Sequence, residues 1–277
     1  MQPWIEVINP HSPRGDFRHA VFDFDGTISL IREGWQQIMI PYFANELMAA
    51  PKGKQQDPRK IRKLAEDFVE YNTGKQTIYQ CIALAKEIKK LGGTPLSPQE
   101  YKEEYHRRLL ERIDYRLKGL CNQSIPPHEY LLPGSIPLLE LLKSKGITLY
   151  LASGTDEKYV LYEAELLGVA SYFDGGIYGA QTDYKTFSKK MVIEHIIRTN
   201  HLAGSEVIGF GDGYVEIENI KEVGGFACGV ASDEVERKGV DPWKRQRLIK
   251  AGADIIIPHY ENLQILAEYL FPKESKE

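Results

Sequence analysis

The stretch HAVFDFDGTISL, residues 19–30, decides how the rest of the chain is read. An apolar run ends in two aspartates, Asp23 and Asp25, one residue apart, and Gly26 and Thr27 follow at once. Aspartate suits a strand interior poorly, and two carboxylates this close repel each other unless positive charge stands beside them. Taken alone, the segment reads equally well as a strand closing in an Asp-Gly hairpin turn. The pattern of the remaining sequence has to separate the two readings.

Size and composition set the frame. The chain has 277 residues, 42% hydrophobic and 27% charged, enough for one large domain with a smaller one beside it. A net charge of −4 leaves no electrostatic footprint for nucleic acid or an anionic membrane. Cys81, Cys121 and Cys228 form no CxxC pair, which argues for a reducing compartment and against a zinc site or a disulfide framework. Residues 1–17, MQPWIEVINPHSPRGDF, lack the apolar centre of a signal peptide. No run reaches membrane-spanning length. A soluble, cytoplasmic protein is expected.

Two kinds of sequence segregate along the chain. Residues 31–130 carry helical periodicity and almost no strand signal. In IRKLAEDFV, Ile61, Leu64, Ala65, Phe68 and Val69 fall on one helical face, and in TIYQCIALAKEIKKLGG, Ile78, Cys81, Ile82 and Ala85 do the same. SPQE at 97–100 reads as a helix start, with Ser97 and Glu100 forming a capping box around Pro98. Pro41 is expected to kink or end the helix around GWQQIMI. From residue 133 onward short apolar runs (ITLYLAS, YFDGGIYGA, EVIGFG, GFACGVA, ADIIIP) alternate with amphipathic helices, the pattern of a parallel sheet covered on both faces. AVFDFD has the same buried-strand look but precedes the helical block. The expected fold is therefore α/β: a discontinuous, Rossmann-like parallel-sheet core from residues 1–30 and 131–277, with an all-helical domain, 31–130, inserted after the first core strand.

Ligands of open parallel sheets bind beyond the carboxyl ends of the strands. Asp23 and Asp25 fall there, as do SGT (153–155) after ITLYLA and GDG (211–213) after EVIGF, while Lys189 and Lys190 open a helix. Carboxylates, a hydroxyl beside a glycine amide, an ammonium and a second acidic loop suit phosphoryl transfer. An aspartate can serve as nucleophile, Mg²⁺ held by one or two carboxylates can neutralise nearby charge, and free N–H groups at a helix start can hold phosphoryl oxygens.

DFDGT, SGT, a lysine before a helix and GDGYVE, in that order, resemble the four motifs of the haloacid dehalogenase superfamily. The resemblance implies Asp23 as nucleophile and metal ligand, and Asp25 as general acid/base offering its backbone carbonyl to the metal. It implies Ser153 and Gly154 as phosphate binders, Lys189 as the neutralising cation, and Asp212 as an Mg²⁺ ligand. The last motif departs from the pattern in having Glu216 where a second aspartate is usual, so a direct, altered or water-mediated metal contact is expected of it. Lys190 is an alternative to Lys189. The helical insertion resembles the cap of the subgroup containing phosphoglycolate phosphatase and β-phosphoglucomutase, and a cap is expected to close over substrate.

Each motif has a plainer reading: Ser153 as a helix cap, the lysines as solvated, Gly-Asp-Gly as a turn. Their joint order favours the chemical one. The seven histidines form no metal-binding pattern, and YKEEYHRRLLERIDYR reads as a solvated helix face. Trp35 is expected to pack. Arg32 is expected at the surface at least as readily as near substrate. The function expected is an Mg²⁺-dependent phosphatase acting on a small phosphorylated metabolite through an aspartyl-phosphate. The alternatives are a phosphomutase and a catalytically idle binding or regulatory protein.

Overall fold

In the computed structural model, which describes residues 4–181 and 183–272, the apolar runs become strands of one sheet: β1 (Glu6–Val7), β2 (His19–Phe22), β3 (Thr148–Asp156), β4 (Gly176–Ala180), β5 (Val207–Gly211), β6 (Phe226–Val230) and β7 (Ile255–Ile257). Their order is β1-β7-β6-β5-β2-β3-β4. Neighbours are parallel except β1, which pairs antiparallel with β7. β1 is two residues long and has no apolar run to announce it. All residues of β2, β5 and β6 are buried, as expected where helices cover both faces of a sheet.

Register carries the functional consequence. Phe22 stands opposite Leu151 of β3 on one side and Phe210 of β5 on the other. The residues that follow these three, Asp23, Ala152–Ser153 and Gly211–Asp212, therefore leave the sheet side by side. The helices of this unit are α5 (Ser135–Ser144), α6 (Glu157–Leu166), α7 (Lys189–Asn200), α8 (Tyr214–Glu222), α9 (Pro242–Ala251) and α10 (Leu263–Leu270), preceded in the chain by α1 (Gln36–Ala49), α2 (Pro58–Asn72), α3 (Thr77–Lys90) and α4 (Pro98–Cys121). Val192 and Ile193 of α7, Ile217 and Ile220 of α8, and Leu248 of α9 pack with Val21, Val207 and Ile256 of the sheet.

The chain divides into two compact units, one of them Gly34–Lys118. The sequence placed the insert at 31–130. The difference lies in residues 31–33 and 119–130, which fold with the sheet unit. Leu30 N–H donates to Tyr130 O at 2.8 Å, Leu132 N–H donates to Ile28 O at 2.9 Å, and Ile125 lies against Gly119 so closely that a Cβ there would meet it at 2.3 Å. Residues 1–3 and 273–277 of the expected core range lie outside the described residues.

Within Gly34–Lys118, α1, α2 and α3 pack on one another. Ile61, Ala65 and Val69 are buried as the periodicity predicts; on α3 the fully shielded stripe is Ile78, Cys81, Leu84 and Ile88, with Ile82 and Ala85 at its margin. Asp57 caps α2 by accepting from Arg59 N–H, with Pro58 in the first turn. The capping box forms: Ser97 N–H donates to Glu100 Oε2 at 2.8 Å and Glu100 N–H donates to Ser97 Oγ at 3.3 Å. Pro41 does not end its helix. α1 runs through it, because the buried Met39, Tyr42, Phe43, Ala44 and Leu47 outweigh one missing backbone donor.

Candidate active site

The loop after β2 is held from three directions. Asp23 N–H donates to Phe210 O at 2.9 Å, extending the β2–β5 ladder by one residue. The chain then turns tightly, with the N–H groups of Ile28 and Ser29 both reaching Phe24 O, at 2.8 and 2.9 Å. Gly26 has φ +77°, and a Cβ there would lie 2.3 Å from Asp212 Oδ2, so both backbone conformation and crowding demand glycine. Thr27 is fully buried and accepts from Asp212 N–H at 3.0 Å, while the Tyr260 hydroxyl donates to Thr27 O at 3.1 Å and Ser232 Oγ donates to Gly26 O at 2.9 Å. The DGT of DFDGT thus fixes the acidic loop that follows β5.

Asp23 and Lys189 form the buried centre of the arrangement. Ser188 caps α7 by accepting from Met191 N–H at 3.1 Å, which places Lys189 at the first helical position. Its Nζ donates to Asp23 Oδ1 at 2.7 Å and to Glu216 Oε1, and all three side chains are buried. Gly211 allows this approach, since a Cβ there would be 2.7 Å from that of Glu216. Lys190 is exposed and pairs with Glu222 at 2.7 Å. Burial pushes the Asp23 carboxyl up to about 6; Lys189 opposes the shift and the nearby Asp212 charge adds to it.

Asp25 points elsewhere. Its Oδ2 accepts from Thr155 Oγ1 at 2.8 Å, with Ser153 Oγ at 3.5 Å. Its Oδ1 is buried without a hydrogen bond, 3.8 Å from Arg32 Nε. Burial pushes this carboxyl up to about 7, Arg32 pulling it down, and Glu163 and Asp23 pushing it up. Of the two places the sequence left open for Arg32, at the surface or near substrate, the surface is excluded. Arg32 is buried and grips Glu163, itself buried, with Nη2–Oε1 at 2.6 Å. Its partner, 131 residues away on α6, explains why local sequence gave no warning. Ser153, almost fully buried, accepts from Thr155 N–H at 3.0 Å. SGT was expected just past the strand but lies within β3, where the pairing with β4 shifts register between Ala152 and Asp156. That irregularity turns the triplet out of the regular ladder, with Gly154 at its middle.

Asp212 meets residues that no motif pointed to. Its Oδ2 lies 2.8 Å from Lys244 Nζ, and the same ammonium reaches Glu234 Oε1 at 2.6 Å and Ser232 Oγ at 3.2 Å. Lys244 is buried in the first turn of α9, which Asp241 caps; the Asp-Pro helix start was a signal for the helix but not for the lysine's direction. Glu216, expected on a metal, receives Lys189 on Oε1, while its Oε2 is buried with no hydrogen-bond partner among the described residues. Asp25 turns its side chain to Thr155. Among the described residues no three His, Cys, Asp or Glu side chains form a metal-holding group. Asp23 and Asp212 remain as neighbouring carboxylates whose charges oppose each other.

This donor set fits Mg²⁺, a hard cation that takes one or two protein carboxylates and completes its shell with water and substrate oxygens. Three separate contact groups, linked only through the mutual repulsion of Asp23, Asp25 and Asp212, contain six carboxyl groups (Asp23, Asp25, Glu163, Asp212, Glu216, Glu234) and three cations (Arg32, Lys189, Lys244). A divalent cation reduces that excess of negative charge.

A family model described as haloacid dehalogenase-like hydrolase matches residues 17–224. No curated protein matches. Among solved structures, a haloacid dehalogenase-like family hydrolase from Streptococcus pneumoniae is 21% identical, with a TM-score of 0.55 over 92% of this chain and 99% of that one. A predicted phosphoglycolate phosphatase from Haemophilus somnus 129PT is 17% identical, with a TM-score of 0.55 over 91% and 98%. A β-phosphoglucomutase from Clostridium difficile is 18% identical, again with a TM-score of 0.55, over 91% and 97%. At these identities the likeness is one of fold.

Proposed function

The chain belongs to the haloacid dehalogenase-like hydrolases, and on that premise we propose that it is an Mg²⁺-dependent phosphatase acting on a small phosphorylated metabolite through an aspartyl-phosphate. The observation that carries the reading is the pair of aspartates in opposite surroundings. Asp23 sits against the Lys189 ammonium, whereas Asp25 sits against hydroxyls with its carboxyl raised to about 7. Burial raises both carboxyls, Asp23 to about 6 beside its ammonium and Asp25 to about 7, so near neutrality Asp23 is the more anionic and Asp25 the readier proton donor. Nucleophile and general acid need those two conditions.

In this reading an Asp23 oxygen attacks phosphorus while Lys189 and the Gly154 amide hold the non-bridging oxygens, with Ser153 donating to one of them. Asp25 passes its proton to the leaving alkoxide as the ester P–O bond breaks. Asp25, now a carboxylate, then takes a proton from a water that attacks the phospho-aspartate, releasing phosphate and restoring both carboxyls. Asp23, Asp212 and the Asp25 backbone carbonyl would hold Mg²⁺, which supplies charge neutralisation at the phosphoryl group. Glu216 orients Lys189 through its Oε1.

A panel of sugar, polyol and carboxylate phosphates, assayed with Mg²⁺ and with EDTA, tests the proposal. Phosphate release that needs the metal is the expected result. Isomerised sugar phosphate without release would assign the mutase reaction, and no turnover on any ester would favour a binding protein.

A further inference from the structure

Lys244 deserves a function of its own, because it is a buried cation with two carboxylates and no place in the chemistry above. Its ammonium lies between Asp212 Oδ2 at 2.8 Å and Glu234 Oε1 at 2.6 Å, anchored by Ser232 Oγ at 3.2 Å. Ser232 in turn donates to Gly26 O, and a Cβ on Gly26 would touch Asp212 Oδ2 at 2.3 Å and Glu234 Oε1 at 3.0 Å. Lys244, Glu234, Asp212 and the aspartate loop therefore form one closed polar knot, separate from the knot of Lys189, Asp23 and Glu216.

We propose that Lys244 is a built-in competitor of the divalent cation for Asp212, with Glu234 setting the strength of that competition. The inference rests on the metal reading of the site. A carboxylate that already carries an ammonium binds a second cation less tightly, because the two positive charges face each other across one small anion in a poorly screened interior. Glu234 counters this by drawing on the same ammonium. Lys244 thus keeps Asp212 in place when no metal is bound, and it holds metal affinity below what two bare carboxylates would give.

The signs of two substitutions distinguish this from a merely structural role. Lys244→Met removes the competing charge and should tighten Mg²⁺ binding by about tenfold or more, whereas Glu234→Gln leaves the ammonium wholly to Asp212 and should weaken binding by a similar factor. A role confined to packing or orientation would make both variants weaker. Titration calorimetry with Mg²⁺ alone, on the full chain, reads the affinities without substrate. Thermal melting in EDTA and in excess Mg²⁺ gives a second readout, since a ligand bound only by the native state raises its midpoint more when affinity is higher. The metal-induced rise should be larger than wild type in Lys244→Met and smaller in Glu234→Gln. If Lys244→Met does not fold, Lys244→Gln, which keeps a hydrogen-bond donor without the charge, takes its place, and only tighter Mg²⁺ binding in it supports the inference. Unchanged affinity in both variants, or weakening in Lys244→Met, overturns the inference while leaving the metal reading intact. Absence of Mg²⁺ binding to the wild-type protein overturns the metal reading, and this inference with it.

Discussion

Lys189 Nζ lies 2.7 Å from Asp23 Oδ1, and both side chains are buried. The pair joins the end of β2 to the start of α7, 166 residues apart. It identifies which of two adjacent lysines serves the site. Lys189→Met should lower kcat/KM by about 10²- to 10³-fold, as for loss of an oxyanion-stabilising donor, while Lys190→Met should stay within about twofold, as is usual for a solvent-exposed side chain. Steady-state kinetics on the best ester of the panel measures both. Equal losses would contradict the assignment.

Asp25 predicts a pH profile. The protonated carboxyl protonates the leaving group, so kcat/KM for an alkyl phosphate should fall as pH rises through about 7. On the acid side the rate should fall as protons compete with Mg²⁺ for the Asp23 carboxylate, so that limb should move to lower pH as Mg²⁺ is raised. The profile is bell-shaped. An aryl phosphate, whose leaving group needs little protonation, should show a much weaker fall on the alkaline side. Identical alkaline limbs for both esters would remove Asp25 from the role of acid.

Gly26→Ala combines strain with collision. Its φ of +77° disfavours a side chain, and the new methyl would meet Asp212 Oδ2 at 2.3 Å. A loss of about 1–3 kcal/mol is expected in urea unfolding, accompanied by weaker Mg²⁺ binding because Asp212 must move. Wild-type stability and affinity together would show that the loop has room to spare.

The buried Arg32–Glu163 pair predicts a non-additive cycle. Arg32→Met leaves Glu163 buried without its cation and should cost about 3–5 kcal/mol, whereas Arg32→Met with Glu163→Met should recover most of that loss. Denaturant unfolding of the two single variants and the double variant measures the coupling. Additive losses would mean that the two side chains do not depend on each other.

These residues also show where the sequence could be read and where it could not. Asp23, Ser153 and Asp212 were legible because each follows a short apolar run, and parallel strands in register bring those runs' ends together, although Ser153 itself lies within β3. Lys189 was favoured over Lys190 by the motif resemblance, and it is Lys189 that reaches Asp23. Both sit at one helix start, and a shift of one residue rotates a side chain by about 100°, the difference between Asp23 and open solvent. Glu216 was legible as an acid of the site but its contact with Lys189 was not, because spacing alone does not say which cation an acid meets. Glu234 and Lys244 were invisible, and Arg32 was left open between surface and substrate, for a common reason. Their partners are distant in sequence or are reached through loops, and a lone charged residue carries no mark of the buried partner that will desolvate it. Pro41 and the two-residue β1 failed in the opposite direction, where packing overrode local preference or where too few residues existed to form a pattern.

The central claim is that Asp23 carries the phosphoryl group between substrate and water. Rapid-quench mass spectrometry of the Asp25→Asn variant, mixed with an aryl phosphate and Mg²⁺, tests it most directly. The first half-reaction survives with a good leaving group, while hydrolysis lacks its base. The account predicts a burst of one aryl alcohol per enzyme and a protein heavier by one phosphoryl group, located on Asp23 by peptide mapping and absent from Asp23→Asn/Asp25→Asn. Burst-free turnover at the wild-type rate, or a phosphoryl group mapped to any other residue, would contradict it.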